Sequence, residues 1–229
     1  MILCIDCGNT RLKWGLREGG AWLAQGALPL AEAESLDEVL PRRPSRAIAC
    51  NVAGPAVAQA VVLAADRLGA PLDWIHAHAE QCGVRNGYEH PQQLGADRWA
   101  ALIGARAAHD GPAVIVMCGT ATTIDVLDAD GRHRGGLILP GLDMMRASLA
   151  AGTADLSMAA GQWRDLPTNT LDAIATGCIN ATVGAIERMP PGFVLLSGGA
   201  AAAISPHLTL PHRLVENLVL EGLARVAEA

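Results

Sequence analysis

Short apolar runs broken by glycine turns dominate the pattern of this chain. Residues 2–6 (Ile-Leu-Cys-Ile-Asp) run into Cys7-Gly8-Asn9-Thr10 and predict a buried strand ending in a tight turn. Leu12, Trp14 and Leu16 then alternate with polar or small residues. Glu18-Gly19-Gly20 reads as a hairpin turn, and residues 21–28 return as a third strand. A short helix is predicted over 32–40, a strand over 47–52, a helix from Pro55 to about Leu68 and a strand over 72–76. Strands and helices in this order make a mixed α/β protein.

The opening pattern comes back half a chain later. Residues 113–117 (Ala-Val-Ile-Val-Met) are again a buried apolar strand, followed by Cys118-Gly119-Thr120, and Cys7 and Cys118 lie 111 positions apart. A strand over 122–127, a turn over 128–131 and a returning strand over 134–139 complete a second meander. Two similar α/β domains are therefore expected, 1–108 and 109–229, each presenting a strand–turn–strand to a shared cleft. The rest of the second half reads as helices over 142–151 and 171–188, a strand over 193–196 ending in Ser197-Gly198-Gly199, an Ala-rich helix start, and a closing helix over 214–227.

Composition narrows the function. Hydrophobic residues make up 51% of the 229 residues but aromatics only 3%, so the core must be built from Ala, Leu, Val and Ile. The net charge of −6, with no basic patch interleaved with aromatics, argues against nucleic-acid binding. The start of the chain has no basic flank, and Asp6 interrupts its apolar run. No uninterrupted apolar stretch of about 18 residues occurs. A cytoplasmic protein without a membrane segment is expected. The six cysteines read as reduced core thiols, and Cys4 and Cys7 point to opposite faces of their strand. Of the 17 basic residues only Lys13 is a lysine, and it lies just past the first glycine turn.

Three segments carry candidate chemistry. In Asp6-x-Gly8-Asn9-Thr10-x-x-Lys13, glycine lets a phosphate approach the backbone, Asn9 and Thr10 donate from the turn, Lys13 brings a positive charge and Asp6 can hold Mg2+. An ordinary β-turn with an Asx bond would use the same residues. Gly119-Thr120-Ala121-Thr122-Thr123-x-Asp125 offers a second hydroxyl-rich phosphate clamp, or simply a Thr-rich strand. Gly95-Ala96-Asp97-Arg98 opens a helix. Asp97 there is either a cap or a general base, with Arg98 gripping a substrate carboxylate. A helix N-terminus lowers the basicity of Asp97, which phosphoryl transfer tolerates because the hydroxyl proton leaves late. No glycine precedes a lysine anywhere, which excludes a P-loop, and no G-x-G-x-x-G follows the first strand. His76 and His78 lack a third metal ligand, and Arg42, Arg43 and Arg46 read as a solvated loop.

Taken in order, these motifs resemble the type III pantothenate kinase family. The resemblance also takes in Asn86-Gly87-Tyr88 with Pro91 and Leu94, Gly135-Gly136 with Pro140-Gly141, Asn169-Thr170 and Ser197-Gly198-Gly199, and it spans nearly the whole chain. It implies the acetate/sugar kinase–Hsp70–actin fold, two duplicated ribonuclease-H-like domains with ATP between them, and an obligate homodimer. The implied reaction is ATP-dependent phosphorylation of pantothenate to 4'-phosphopantothenate, the first step of coenzyme A synthesis. By position, Asp6, Gly8, Asn9, Thr10 and Lys13 would hold ATP phosphates and Mg2+, and Asp97 would accept the proton. Tyr88 and Gly95, Ala96, Asp97 and Arg98 would bind pantothenate, and Thr170 would reach it in the partner subunit. Thr120 would contact ATP, with Gly198 and Gly199 facing the adenosine. Many family members carry an Asp linked to a monovalent cation at the position held here by Met117. Either K+ or NH4+ is not needed, or another group such as Asp125 takes over. Two other readings compete with a pantothenate kinase: a non-catalytic nucleotide-binding regulatory protein on the same scaffold, and a kinase for another small alcohol. The intact Asp6–Lys13 loop and Asp97-Arg98 favour an enzyme, and Tyr88 upstream of them favours pantothenate.

Overall fold

The computed structural model describes residues 1–152 and 161–229. The chain opens with β1 (Ile2–Cys7), β2 (Arg11–Glu18) and β3 (Ala21–Pro29), an antiparallel meander. A 3-10 turn over Leu30–Ser35 leads into the single helical turn α1 (Leu36–Val39), so the helix expected over 32–40 is mostly 3-10. Then come β4 (Arg46–Asn51), α2 (Pro55–Leu68), β5 (Leu72–Trp74), the small hairpin β6 (Glu80–Gln81) and β7 (Val84–Arg85), and α3 (Ala96–Ala108). Pro55 at the first turn and left-handed Gly69 after the last bound α2 as helix chemistry dictates.

The second half follows with β8 (Ala113–Cys118), β9 (Ala121–Leu127), β10 (His133–Pro140), α4 (Leu142–Gly152) and α5 (Thr170–Glu187). It continues with β11 (Phe193–Ser197), the one-turn α6 (Ala201–Ile204), β12 (His212–Leu214) and α7 (Leu218–Glu228).

The two main sheets share one topology. The first has the order β3-β2-β1-β4-β5 and the second β10-β9-β8-β11-β12. In each, the first and second strands pair antiparallel, while the central strand pairs parallel with the fourth. This is the duplication read from the two Cys-Gly turns, now seen strand for strand.

The chain divides into two compact units. One comprises 1–110, 131–134 and 217–229; the other comprises 111–130 and 135–216. The last helix therefore packs with the first unit, not with the second half to which a 108/109 division assigns it. Its start also differs from expectation. Residues 212–214 form a strand parallel to β11, and the Val215 N–H donates to Leu196 O at 2.8 Å. The chain then turns through left-handed Asn217 before α7 begins. The apolar spacing of Leu214, Val215, Leu218 and Val219 mimics one helix, but the edge-strand hydrogen bonds win over 212–215.

Each sheet buries alternate side chains on opposite faces. In β1, Leu3, Ile5 and Cys7 join the core formed with Val57, Val61, Ala64 and Leu68 of α2. Cys4 and Asp6 point to the other face, where α3 and α7 pack. In the second unit Val114, Val116 and Cys118 meet Ile179, Val183 and Ile186 of α5. α7 is pinned by Arg17, which bonds Glu221 and Glu228 at 3.0 Å each, and by Trp22 Nε1 donating to Glu221 Oε1 at 2.6 Å. Backbone contact makes the α3–α7 approach close: a Cβ on Gly222 would sit 1.8 Å from Ala100 O. Gly222→Ala is therefore expected to cost about 2–3 kcal/mol in urea unfolding. Gly184→Ala, in open space on α5, should gain roughly 0.5–1 kcal/mol. Equal midpoints for the two variants would contradict the packing described.

Candidate active site

Asp6 is the centre of the first unit's polar cluster. It ends β1, with Lys13 opposite it on β2 and Cys50 opposite it on β4. Asp6 is 7% exposed, and Cys50 Sγ donates to Asp6 Oδ1 at 3.5 Å. Burial pushes the Asp6 carboxyl up to about 6; Lys13 lowers it, the charge of Asp97 raises it, and the Cys50 bond lowers it slightly. Two carboxylates from distant stretches, 6 and 97, thus act on each other beside one ammonium. The same burial, with Asp6 and Asp97 nearby, pushes the Cys50 thiol far up, so it stays a neutral donor. Gly8 is half-buried, and Asn9 and Thr10 are exposed at the turn beyond β1.

Asp97 stands in the first turn of α3. Gly95 occupies the N-cap position, Ala96 follows, and no side chain caps the helix. Asp97 instead folds back so that its Oδ1 accepts the Arg98 N–H at 2.8 Å. Arg98 is 5% exposed, so its guanidinium is less open than a surface clamp. Its Nη1 donates to the Tyr88 hydroxyl at 2.8 Å. Asn86 explains the turn that delivers Tyr88: its Oδ1 accepts the Tyr88 N–H at 3.0 Å, and its Nδ2 donates to the carbonyls of His78 and Pro91. Asp6, Lys13, Tyr88, Gly95, Ala96, Asp97 and Arg98 all belong to this one unit.

The second unit gathers the other motifs around its own turn. Thr120 is exposed at the bend between β8 and β9, and Thr122, Thr123 and Asp125 are buried along β9. The Gly141 N–H donates to Thr120 O at 2.9 Å, and a Cβ on Gly141 would lie 2.2 Å from Gly119 O. Left-handed Gly198 packs on Cys118, whose carbonyl accepts the Ala200 N–H at 3.1 Å; Gly199 is exposed beside it. Pro140-Gly141 and Ser197-Gly198-Gly199 are thus the backbone supports of the Gly119-Thr120 bend. Asn169 caps α5, accepting the Asp172 N–H at 2.9 Å, which leaves Thr170 exposed at the helix start. Met117 pairs with Thr123 and Ser197 in the register that places Asp6 between Lys13 and Cys50 in the first sheet.

Two residues were not singled out from sequence. Cys50 sits in an ordinary apolar strand pattern, and His133 lies between a turn and Gly135-Gly136 without periodic signal. Among the described residues, no three His, Cys, Asp or Glu side chains cluster as a metal cage, and no helix is long and apolar enough to cross a membrane.

The raised Asp6 carboxyl has a stability consequence. The folded chain holds that proton to higher pH than an unfolded carboxylate near 4 does. Stability from this group therefore falls as pH rises from about 4 to about 6, and the cost is complete above that window. Metal-free Asp6→Asn should be about 2–3 kcal/mol more stable than the parent at pH 8, and close to equal at pH 4. Denaturant unfolding in chelator measures this; a less stable variant at pH 8 would refute the burial argument.

The profile described as type III pantothenate kinase matches residues 2–190. Curated relatives named type III pantothenate kinase include one from Aromatoleum aromaticum, 52% identical with 99% of this chain and 98% of the relative covered. Another, from Dechloromonas aromatica, is 46% identical with 99% of each chain covered. Among solved structures, a Campylobacter jejuni protein described as a Baf family transcriptional activator superposes with TM-score 0.66 at 19% identity, covering 99% of this chain and 97% of that one. Component A of (R)-2-hydroxyglutaryl-CoA dehydratase from Acidaminococcus fermentans gives 0.57 at 13% identity, covering 99% and 95%. The structural likenesses speak for the fold, the actin-like ATPase superfold built from duplicated ribonuclease-H-like domains. With a family profile over most of its length and relatives matched end to end, the chain belongs to the type III pantothenate kinase family.

Proposed function

We propose that this protein transfers the γ-phosphoryl group of ATP to the hydroxyl of pantothenate, giving 4'-phosphopantothenate for coenzyme A synthesis. The carrying observation is the first turn of α3. Its Asp97 acts on Asp6 and the adjacent Arg98 holds Tyr88, so one helix end links the phosphate side of the site to the substrate side. The regulatory reading does not account for that link, because a purely regulatory nucleotide binder needs no carboxylate at this place. Against a kinase for another small alcohol, Tyr88 held by Arg98 on the substrate side supports pantothenate.

Asp6 would hold Mg2+, which when bound neutralises charge on the transferring phosphates. The residues fit, because a buried carboxylate pushed up by burial and by a second carboxylate gains most from a divalent cation. Magnesium takes one or two carboxylates and completes its shell with water and phosphate oxygens, so no protein cage is needed. Lys13 places a positive charge across the strand pair from Asp6, where it meets phosphate oxygens, with Gly8, Asn9 and Thr10 donating from the turn. In the second unit Thr120, Gly198 and Gly199 contact ATP, and Asp125 is the carboxylate that serves its phosphate loop. Met117 offers no anionic oxygen for K+ or NH4+, so turnover is assigned to Mg-ATP without a monovalent cation at that position.

Pantothenate is gripped by Tyr88, the Gly95–Arg98 turn and Thr170 of a second copy. Asp97 takes the hydroxyl proton. The transition state of phosphoryl transfer is loose, so a weak base at a helix N-terminus suffices once the hydroxyl is oriented. The enzyme works as a cytoplasmic homodimer.

Purified protein with Mg-ATP should release ADP only when pantothenate is added, among a panel of small alcohols. Asp97→Asn should lower kcat by about 100-fold or more while pantothenate still binds; a rate near that of the parent would remove Asp97 as the base. Thr170→Val should raise KM for pantothenate in the dimer, and an unchanged KM would count against a site shared between subunits.

A further inference from the structure

Tyr88 is the single tyrosine of the chain, and two side chains hold it from different directions. Arg98 Nη1 donates to its hydroxyl at 2.8 Å, and the guanidinium carbon lies 5.6 Å from the ring centroid. His133 stacks on the ring, with centroids 5.6 Å apart and planes 23° from parallel. Because the phenol oxygen already accepts from a cation, its own proton is turned away from Arg98. It is available to an oxygen of an incoming molecule. Which way that proton points depends on the plane of the ring, and Arg98 alone leaves the ring free to rock about the bond.

His133 is built to remove that freedom. It is fully buried, at 0% exposure, on the short segment 131–134 that packs with the first unit. The Arg85 N–H donates to Gly131 O at 2.8 Å and fixes the segment's start. Its carbonyl lies so close to the Asn86-Gly87-Tyr88 turn that a Cβ on Gly87 would come within 1.8 Å of His133 O. Backbone packing therefore registers His133 against the turn that carries Tyr88, and the imidazole then packs on the phenol.

We infer that His133 is a positioning residue for substrate binding: its stack sets the plane of Tyr88 so that the phenol oriented by Arg98 donates to pantothenate. This rests on the reading of Tyr88 as a pantothenate contact. His133 acts through Tyr88 and touches no reacting atom, so its loss should weaken substrate binding and leave the chemical step alone.

The test compares His133→Leu, which fills the space without a ring, with His133→Phe, which restores one. The Leu variant should raise KM for pantothenate roughly 3- to 10-fold, the range of an aromatic pair, with kcat and the KM for ATP unchanged. The Phe variant should return KM close to that of the parent. His133→Gln, planar but not aromatic, should behave as Leu does and stands in for it if Leu fails to fold. Ring-13C-labelled tyrosine gives one spin system, which pantothenate should shift in the parent and the Phe variant and shift less in the Leu variant. Equal pantothenate KM in the parent, Leu and Gln variants, with the parent active, would overturn this inference alone. A parent whose tyrosine signal ignores pantothenate and which releases no pantothenate-dependent ADP would overturn the functional reading, and this inference with it.

Discussion

One buried carboxylate organises the first unit. Asp6 ends a central strand with Lys13 on one neighbouring strand and Cys50 on the other, and it feels the charge of Asp97 from a helix 91 residues further along. A carboxylate in that place is costly unless something positive arrives. Lys13 supplies part of the compensation, and its partial effect is visible in a carboxyl still held near 6. On the proposed function, the unmet remainder is what a divalent cation bound with ATP would offset at Asp6. The roles proposed around the site, from the Gly8 turn to Asp97 as base, all depend on Asp6 being buried here.

The duplicated sheets make the asymmetry of the two halves legible. Register places Met117 between Thr123 and Ser197 as Asp6 lies between Lys13 and Cys50. The same three-strand position thus carries a carboxylate, an ammonium and a thiol in one half, and a thioether and two hydroxyls in the other. At this position charge is confined to the first copy, while the second has hydroxyls beside a bend braced by Gly141 and Gly198 and carries its carboxylate, Asp125, further along β9. Duplication provided two equivalent strand turns, and divergence at positions 6 and 117 gave them different chemistry.

Much of this was readable from sequence because the relevant signals are local. Apolar runs ended by Cys-Gly mark β1 and β8, Pro55 and Gly69 bound α2, and the glycine- and hydroxyl-rich turns stand out by composition. What escaped depends on contacts between distant positions. Cys50 looks like any core cysteine until β4 is laid beside β1, and His133 looks like a loop residue until its backbone is packed on Gly87. The helix expected from 214 failed for a related reason: apolar spacing does not distinguish a helix from an edge strand followed by a helix, and the pairing with β11 decides it. The residue type of Arg98 suggests a carboxylate grip, but its place as a buried partner of Tyr88 cannot be read from sequence, because burial is a property of the assembled unit.

The central claim is that Asp6 and Asp97 share one electrostatic environment in the metal-free protein. Carboxyl-13C NMR of Asp6 across pH tests it most directly, in the parent and in Asp97→Asn. A midpoint near 6 in the parent, falling when Asp97 loses its charge, is the predicted result. An Asp6 midpoint near that of a free aspartate at about 4, unmoved by the substitution at 97, would contradict the site described.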